Sequence, residues 1–63
     1  MKIMTVTFNV LCDYKNDVYL IRATQSMFDH YNRICLSISD LMSDMLDIQK
    51  ELRGRYKVTF KFK

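Results

Sequence analysis

The stretch MFDHYNRICLSISDLMSDMLDIQKEL, residues 27–52, decides the fold of this chain. Its apolar side chains recur at alternating steps of four and three, the spacing that puts them on one face of an α-helix. The residues of this stripe are Met27, Tyr31, Ile34, Ile38, Leu41, Met45, Ile48 and Leu52. The pattern predicts a helix over 25–53. Thr24 or Ser26 would cap its start, and Gly54 would end it in the left-handed conformation.

The segment CLSISD, residues 35–40, is the weak part of this predicted helix. Serine and isoleucine are mediocre helix formers, and Ser39 could cap a second helix instead. A continuous helix would be roughly 44 Å long, whereas a strand of eight residues covers only about 26 Å. The helix is therefore expected to kink near 36–39 or to overhang the sheet. Apolar side chains that extend beyond the sheet must be buried by another surface. We therefore expect a homodimer or higher oligomer through Ile38, Leu41, Met45, Ile48 and Leu52.

Period-two alternation predicts three strands around this helix. Residues 2–12 form the first strand, and a turn at YKND, residues 14–17, leads into the second strand, VYLIRA. The third strand follows Gly54 in RGRYKVTFKFK, where Tyr56, Val58, Phe60 and Phe62 are expected to face the core. The predicted fold is a two-layer α+β domain over 1–63, with the order β-β-α-β. Its three-stranded antiparallel sheet has the order 2-1-3, and one long or kinked helix covers it.

Length and composition restrict where the stability of the chain comes from. Sixty-three residues bury a small core, and two cysteines allow at most one internal disulfide. Oligomerisation or a bound partner is the expected extra support. No apolar run approaches a membrane span, and threonines interrupt the N-terminal apolar residues. We expect a cytoplasmic protein with reduced thiols and no membrane association.

Groups able to perform catalysis are few. Cys35 lies on the apolar stripe and Cys12 shares a face with apolar residues, so both are expected to be structural thiols. His30 lies five residues before Cys35, on a different helical face. Asp40, Asp44 and Asp47 recur at helical spacing, and a solvated helix face explains them more simply than acid–base work or cation binding. The sequence favours a protein that is not an enzyme and needs no cofactor or metal.

Charge is unevenly distributed along the chain. The last fourteen residues carry a net charge of +5, and the first forty-nine carry −2. Leu36 and Leu46 are apolar although they lie off the helical stripe, which favours further contact surfaces. The open face of the sheet is expected to show apolar Tyr19 and Ile21 beside cations. The predicted partner-binding residues are Tyr19, Ile21, Arg53, Arg55, Lys57, Lys61 and Lys63.

Two classes of function fit this distribution best, and a small structural subunit of a larger assembly is a third possibility. The first is a small non-enzymatic protein-binding module that inhibits or neutralises a larger protein, as antitoxins and small proteins of viruses and mobile elements do. The second is a small nucleic-acid-binding regulator that uses the basic C-terminal strand. The aromatic residues of that strand alternate with lysine and are expected to face the helix, whereas single-strand binders stack bases on aromatic residues of the open face. The first class is therefore preferred.

Overall fold

The structure is a computed structural model that describes residues 3–63. In chain order its elements are β1 (Met4–Asp13), β2 (Val18–Ala23), a 3-10 helix (Ser26–Tyr31), β3 (Arg33–Cys35), α1 (Ile38–Leu52) and β4 (Tyr56–Phe62). The strands form one mixed sheet in the order β3-β2-β1-β4, and α1 packs on one of its faces. The predicted α+β class is confirmed, but the sheet has four strands instead of three.

The β1–β2 hairpin agrees with the sequence pattern. Val6, Phe8 and Val10 alternate along β1 and are 0% exposed, because every second side chain points into the core. In the turn, the Asn16 side-chain amide donates to Asp13 Oδ2 at 2.9 Å. Asp17 completes the reversal with a left-handed φ of 54°, a conformation that Asp tolerates better than most residues.

The first half of the predicted long helix is wrong. Residues 26–31 form a 3-10 helix, and residues 33–35 form an edge strand that pairs antiparallel with β2. Asn32 separates the two with an extended backbone, and its Oδ1 accepts a hydrogen bond from the Ala23 amide at 2.7 Å. The aromatic, β-branched and Asn residues here are poor helix formers, so pairing with the open edge of β2 is the better use of their backbone groups. Met27 and Ile34 are consequently exposed.

The α-helix occupies only the second half of the predicted range. It begins after Ser37, whose side-chain oxygen accepts from the Asp40 amide at 3.1 Å. Its fifteen residues span about 22 Å, so it does not overhang the sheet. Gly54 lacks the expected left-handed φ, and the helix ends instead in a turn in which the Arg55 amide donates to Leu52 O at 2.9 Å. No helix among residues 3–63 is long and apolar enough to cross a membrane.

The extra strand β3 also changes the direction of the last strand. Because β3 reverses the chain once more than predicted, α1 returns it so that β4 runs parallel to β1. The predicted antiparallel pairing of the first and last strands is therefore wrong. The predicted adjacency of these two strands is confirmed, with Met4 opposite Tyr56 and Val10 opposite Phe62.

Aromatic rings fill the space between the sheet and the helical layer. The Phe8 ring lies 5.7 Å from that of Phe60 in a stacked pair and 6.2 Å from that of Tyr31 in a T-shaped pair. Phe28 and Tyr56 form a second T-shaped pair at 5.3 Å. Tyr56, Val58 and Phe60 pack against the core as expected, but Phe62 at the end of β4 is 58% exposed.

We expect Ser37→Ala to lower the free energy of unfolding by about 1 kcal/mol, because the first turn of α1 loses its side-chain acceptor. Urea unfolding followed by circular dichroism measures this change. Ser39→Ala is the matched control, since Ser39 is exposed and alanine is a good helix former. Equal losses for the two variants would contradict the assignment of Ser37 as the cap.

Candidate functional site

Cys35 is buried, as the sequence predicts, and its thiol is held in the protonated form. Its side chain is 1% exposed, and Sγ donates to Asp44 Oδ2 at 3.2 Å. Burial, reinforced by this hydrogen bond and the nearby carboxylate, raises the pKa of the Cys35 thiol to about 11. The nucleophilic form of cysteine is the thiolate, so Cys35 is a poor nucleophile at neutral pH. Cys12 is half-buried against the core.

The other groups considered for chemistry lie apart. Asp40 and Asp47 are exposed as expected, whereas Asp44 is half-buried and bonded to Cys35. His30 is exposed, with its ring centroid 4.2 Å from that of Tyr31. In the described range 3–63, His, Cys, Asp and Glu side chains form no group of three that could hold a metal ion.

Tyr19 and Ile21 do not lie on the open face of the sheet. They are 3% and 0% exposed, so their predicted availability to a partner is wrong. Tyr19 lies opposite Cys12 and Ile21 opposite Val10, and opposed residues share a face of the sheet. The length of the hairpin turn sets this register, and a shift of one residue exchanges the two faces of β2. The sequence lacked a turn signature strong enough to fix it.

The open face of the sheet, the face away from α1, has an apolar part and a polar part. Leu11, Leu20 and Ile34 lie opposite one another across β1, β2 and β3. Asn9 lies between Arg22 and Lys61 in a neighbouring row. The apolar part therefore belongs to the β3 side of the molecule and the cationic part to the β4 side.

All five predicted partner-binding cations are exposed. Lys57, Lys61 and Lys63 alternate along β4 and just beyond it on the open face, and Arg53 and Arg55 lie in the turn before it. Their shared position at one edge of the sheet raises the local positive potential there. Their role in binding stays a prediction.

A second surface, which the sequence did not predict, lies beside β4. A groove between α1 and β4 is lined by Met42, Met45, Leu46, Gln49 and Phe60. Met42 is 61% and Leu46 is 55% exposed, although both are large apolar side chains. The signal in the sequence was the position of Leu46 off the main stripe. We call this feature the α1–β4 groove.

Most of the predicted oligomer interface is used inside the chain. Leu41, Ile48 and Leu52 are at most 5% exposed and Met45 is half-buried, because the stripe that they form packs on the sheet. Ile38 is 51% exposed. The assignment of the buried residues to a surface between copies is therefore wrong, while self-association itself stays a prediction.

The raised pKa of Cys35 predicts an alkaline loss of stability. The unfolded thiol ionises near its ordinary pKa of 9.0 and the folded thiol only near 11, so the unfolded state releases the proton first. We expect the free energy of unfolding to fall as the pH rises from about 9 to about 11. Denaturant titrations at several pH values measure this. The free energy of unfolding of Cys35→Ala should fall less steeply over this range than that of the parent; an unchanged slope in Cys35→Ala would contradict the assignment.

Compared with known proteins, the chain matches no family model, no curated protein and no solved structure.

Proposed function

We propose that this chain is a small non-enzymatic module that binds a larger protein and inhibits or neutralises it by covering a site. The observation that carries the proposal is the α1–β4 groove, where Met42 and Leu46 are exposed next to Phe60. The other face of the same edge strand carries Lys57 and Lys61. An apolar centre with a polar, charged rim is the usual anatomy of a protein–protein interface. Methionine suits such a surface because its flexible side chain adapts to the partner.

The size of the molecule is compatible with steric inhibition. The chain has 4745 Å² of accessible surface, and a standard interface takes about 800 Å² from each partner. About one sixth of its surface would then suffice to hold it in place, and the rest of the domain would obstruct the target. The proposal includes the cytoplasm as the compartment, where Cys12 and Cys35 remain free thiols. It also includes an antitoxin-like role or an origin in a virus or mobile element.

Nucleic acid is the competing ligand for the same cations. Arg22 and Lys61 flank Asn9 on the open face, an arrangement able to contact a phosphate backbone. Two observations favour protein instead. The aromatic side chains Tyr56 and Phe60 pack against the core, and Leu11 and Ile34 make the β3 side of the open face apolar.

We expect Leu46→Lys to keep the fold and to lose the protein partner, because a charge would enter the apolar centre of the interface. Affinity capture from producing cells followed by mass spectrometry identifies what binds. Ser43→Lys is the matched control: it adds the same charge at another exposed position of α1. Capture of the same protein by both variants would contradict the groove as the site, and capture of nucleic acid alone would contradict the proposed class.

Changing Lys57, Lys61 and Lys63 together to glutamine should slow association with the captured partner. Exposed charges act mainly through long-range attraction, so the loss should be largest at low salt. Stopped-flow or surface-plasmon measurements over a salt series give the association rate. Stability should change by less than about 0.5 kcal/mol per position, because these side chains lie on the surface. A rate that does not depend on these lysines would remove them from the binding surface.

A further inference from the structure

The outer edge of β4 presents backbone hydrogen-bonding groups. Within residues 3–63, β4 is the last strand of the sheet on its side and pairs only with β1. The Lys63 amide donates to Val10 O at 2.8 Å and therefore points toward β1. Successive amides of a strand point to opposite sides, so the amides of Val58, Phe60 and Phe62 point away from β1. These three residues offer donors and acceptors to an added strand.

The two sides of this edge differ chemically. The open face carries Lys57, Lys61 and Lys63, and Thr59 occupies the position between the first two lysines. The opposite side is the α1–β4 groove, where Met42 and Leu46 lie beside Phe60. A strand added here would place alternate side chains against cations and against apolar groups.

A second copy of β4 is a poor occupant of this edge. If two β4 strands paired antiparallel in one continuous sheet, the residues opposite each other would come from the same face. If the pairing is centred on Thr59, Lys57 of one copy lies opposite Lys61 of the other. If it is centred on Phe60, Lys57 of one copy lies opposite Lys63 of the other. Like charges directly opposite each other destabilise a pair of strands. Lysine on an edge strand is a known protection against such pairing.

We propose that the partner contributes an extended segment of alternating acidic and apolar residues, which adds to β4 as a fifth strand. Its carboxylates face Lys57, Lys61 and Lys63, its apolar side chains enter the α1–β4 groove, and its backbone bonds to Val58, Phe60 and Phe62. This is the strand-addition mode of peptide recognition, in which backbone bonds give affinity and alternate side chains give specificity. The inference rests on the proposed function and specifies how the target is held.

The test uses isotope-labelled full-length chain and a terminally blocked peptide of about nine residues that alternates glutamate and valine. We expect saturable shifts along β4 in NMR spectra and slowed hydrogen exchange of the Val58, Phe60 and Phe62 amides. A peptide alternating lysine and valine should bind at least roughly tenfold more weakly, because it repeats the charge of β4. Absence of glutamate-peptide binding at millimolar concentration, equal binding of both peptides, or shifts without slowed exchange would each overturn the inference.

Two variants of one position isolate the backbone contribution. Phe62→Pro removes an outward amide, and Phe62→Ala removes the same exposed ring but keeps the amide. We expect the proline variant to bind the glutamate peptide roughly three- to tenfold more weakly than the alanine variant. Equal affinities of the two variants would overturn strand addition. A single-stranded DNA of random sequence that displaces the peptide and binds more tightly would overturn the choice of an acidic protein segment.

The outcomes also separate this inference from the function on which it rests. If Leu46→Lys abolishes capture of a protein but the peptide tests fail, the module binds proteins by another geometry. If capture is insensitive to Leu46→Lys as well, the proposed binding surface fails together with the inference.

Discussion

The pairing of three residues, Arg33–Cys35, with β2 is the interaction on which the arrangement of this chain depends. It ends the 3-10 helix, adds an edge strand and places Ser37 where α1 can begin. It also adds one reversal, and that reversal makes β4 parallel to β1. Without it, a single long helix would have to return the chain. The Asn32 side chain supports this pairing by accepting from the Ala23 amide at the end of β2.

The strands and the second half of the helix could be predicted from the sequence because their periodicity reflects burial. Val6, Phe8 and Val10 alternate on a strand, and Leu41, Ile48 and Leu52 share one helical face; all six are buried. The prediction of a helix for the first half of this range was wrong, because it also relied on periodicity and here the periodicity does not reflect burial. Met27 and Ile34 fit a helical period but are exposed, while the buried residues Phe28 and Cys35 lie beside it. Pairing between distant strands leaves no local signature from which β3 could be recognised.

The candidate site was predictable in its charges and not in its apolar part. Lys57, Lys61 and Lys63 are exposed whichever way the strand runs, so long as the aromatic face is buried. The α1–β4 groove depends on the angular position of α1 over the sheet, which leaves Met42 and Leu46 outside the contact and Leu41 inside it. Tyr19 and Ile21 show the converse error, because one unknown turn register inverted the faces of β2.

The parallel pairing of β1 with β4 has a consequence for how the molecule folds. Its contacts join residues near Met4 to residues near Tyr56, so they close almost the longest loop that the described chain allows. Such non-local pairing slows folding relative to the local β1–β2 hairpin and the helix. During synthesis β1 leaves the ribosome before β4 does, and one side of β1 then lacks its neighbour. Val6, Phe8 and Val10 lie on that strand, so the nascent chain passes through a stage in which a strand of the core has an open edge accessible to chaperones and to other chains.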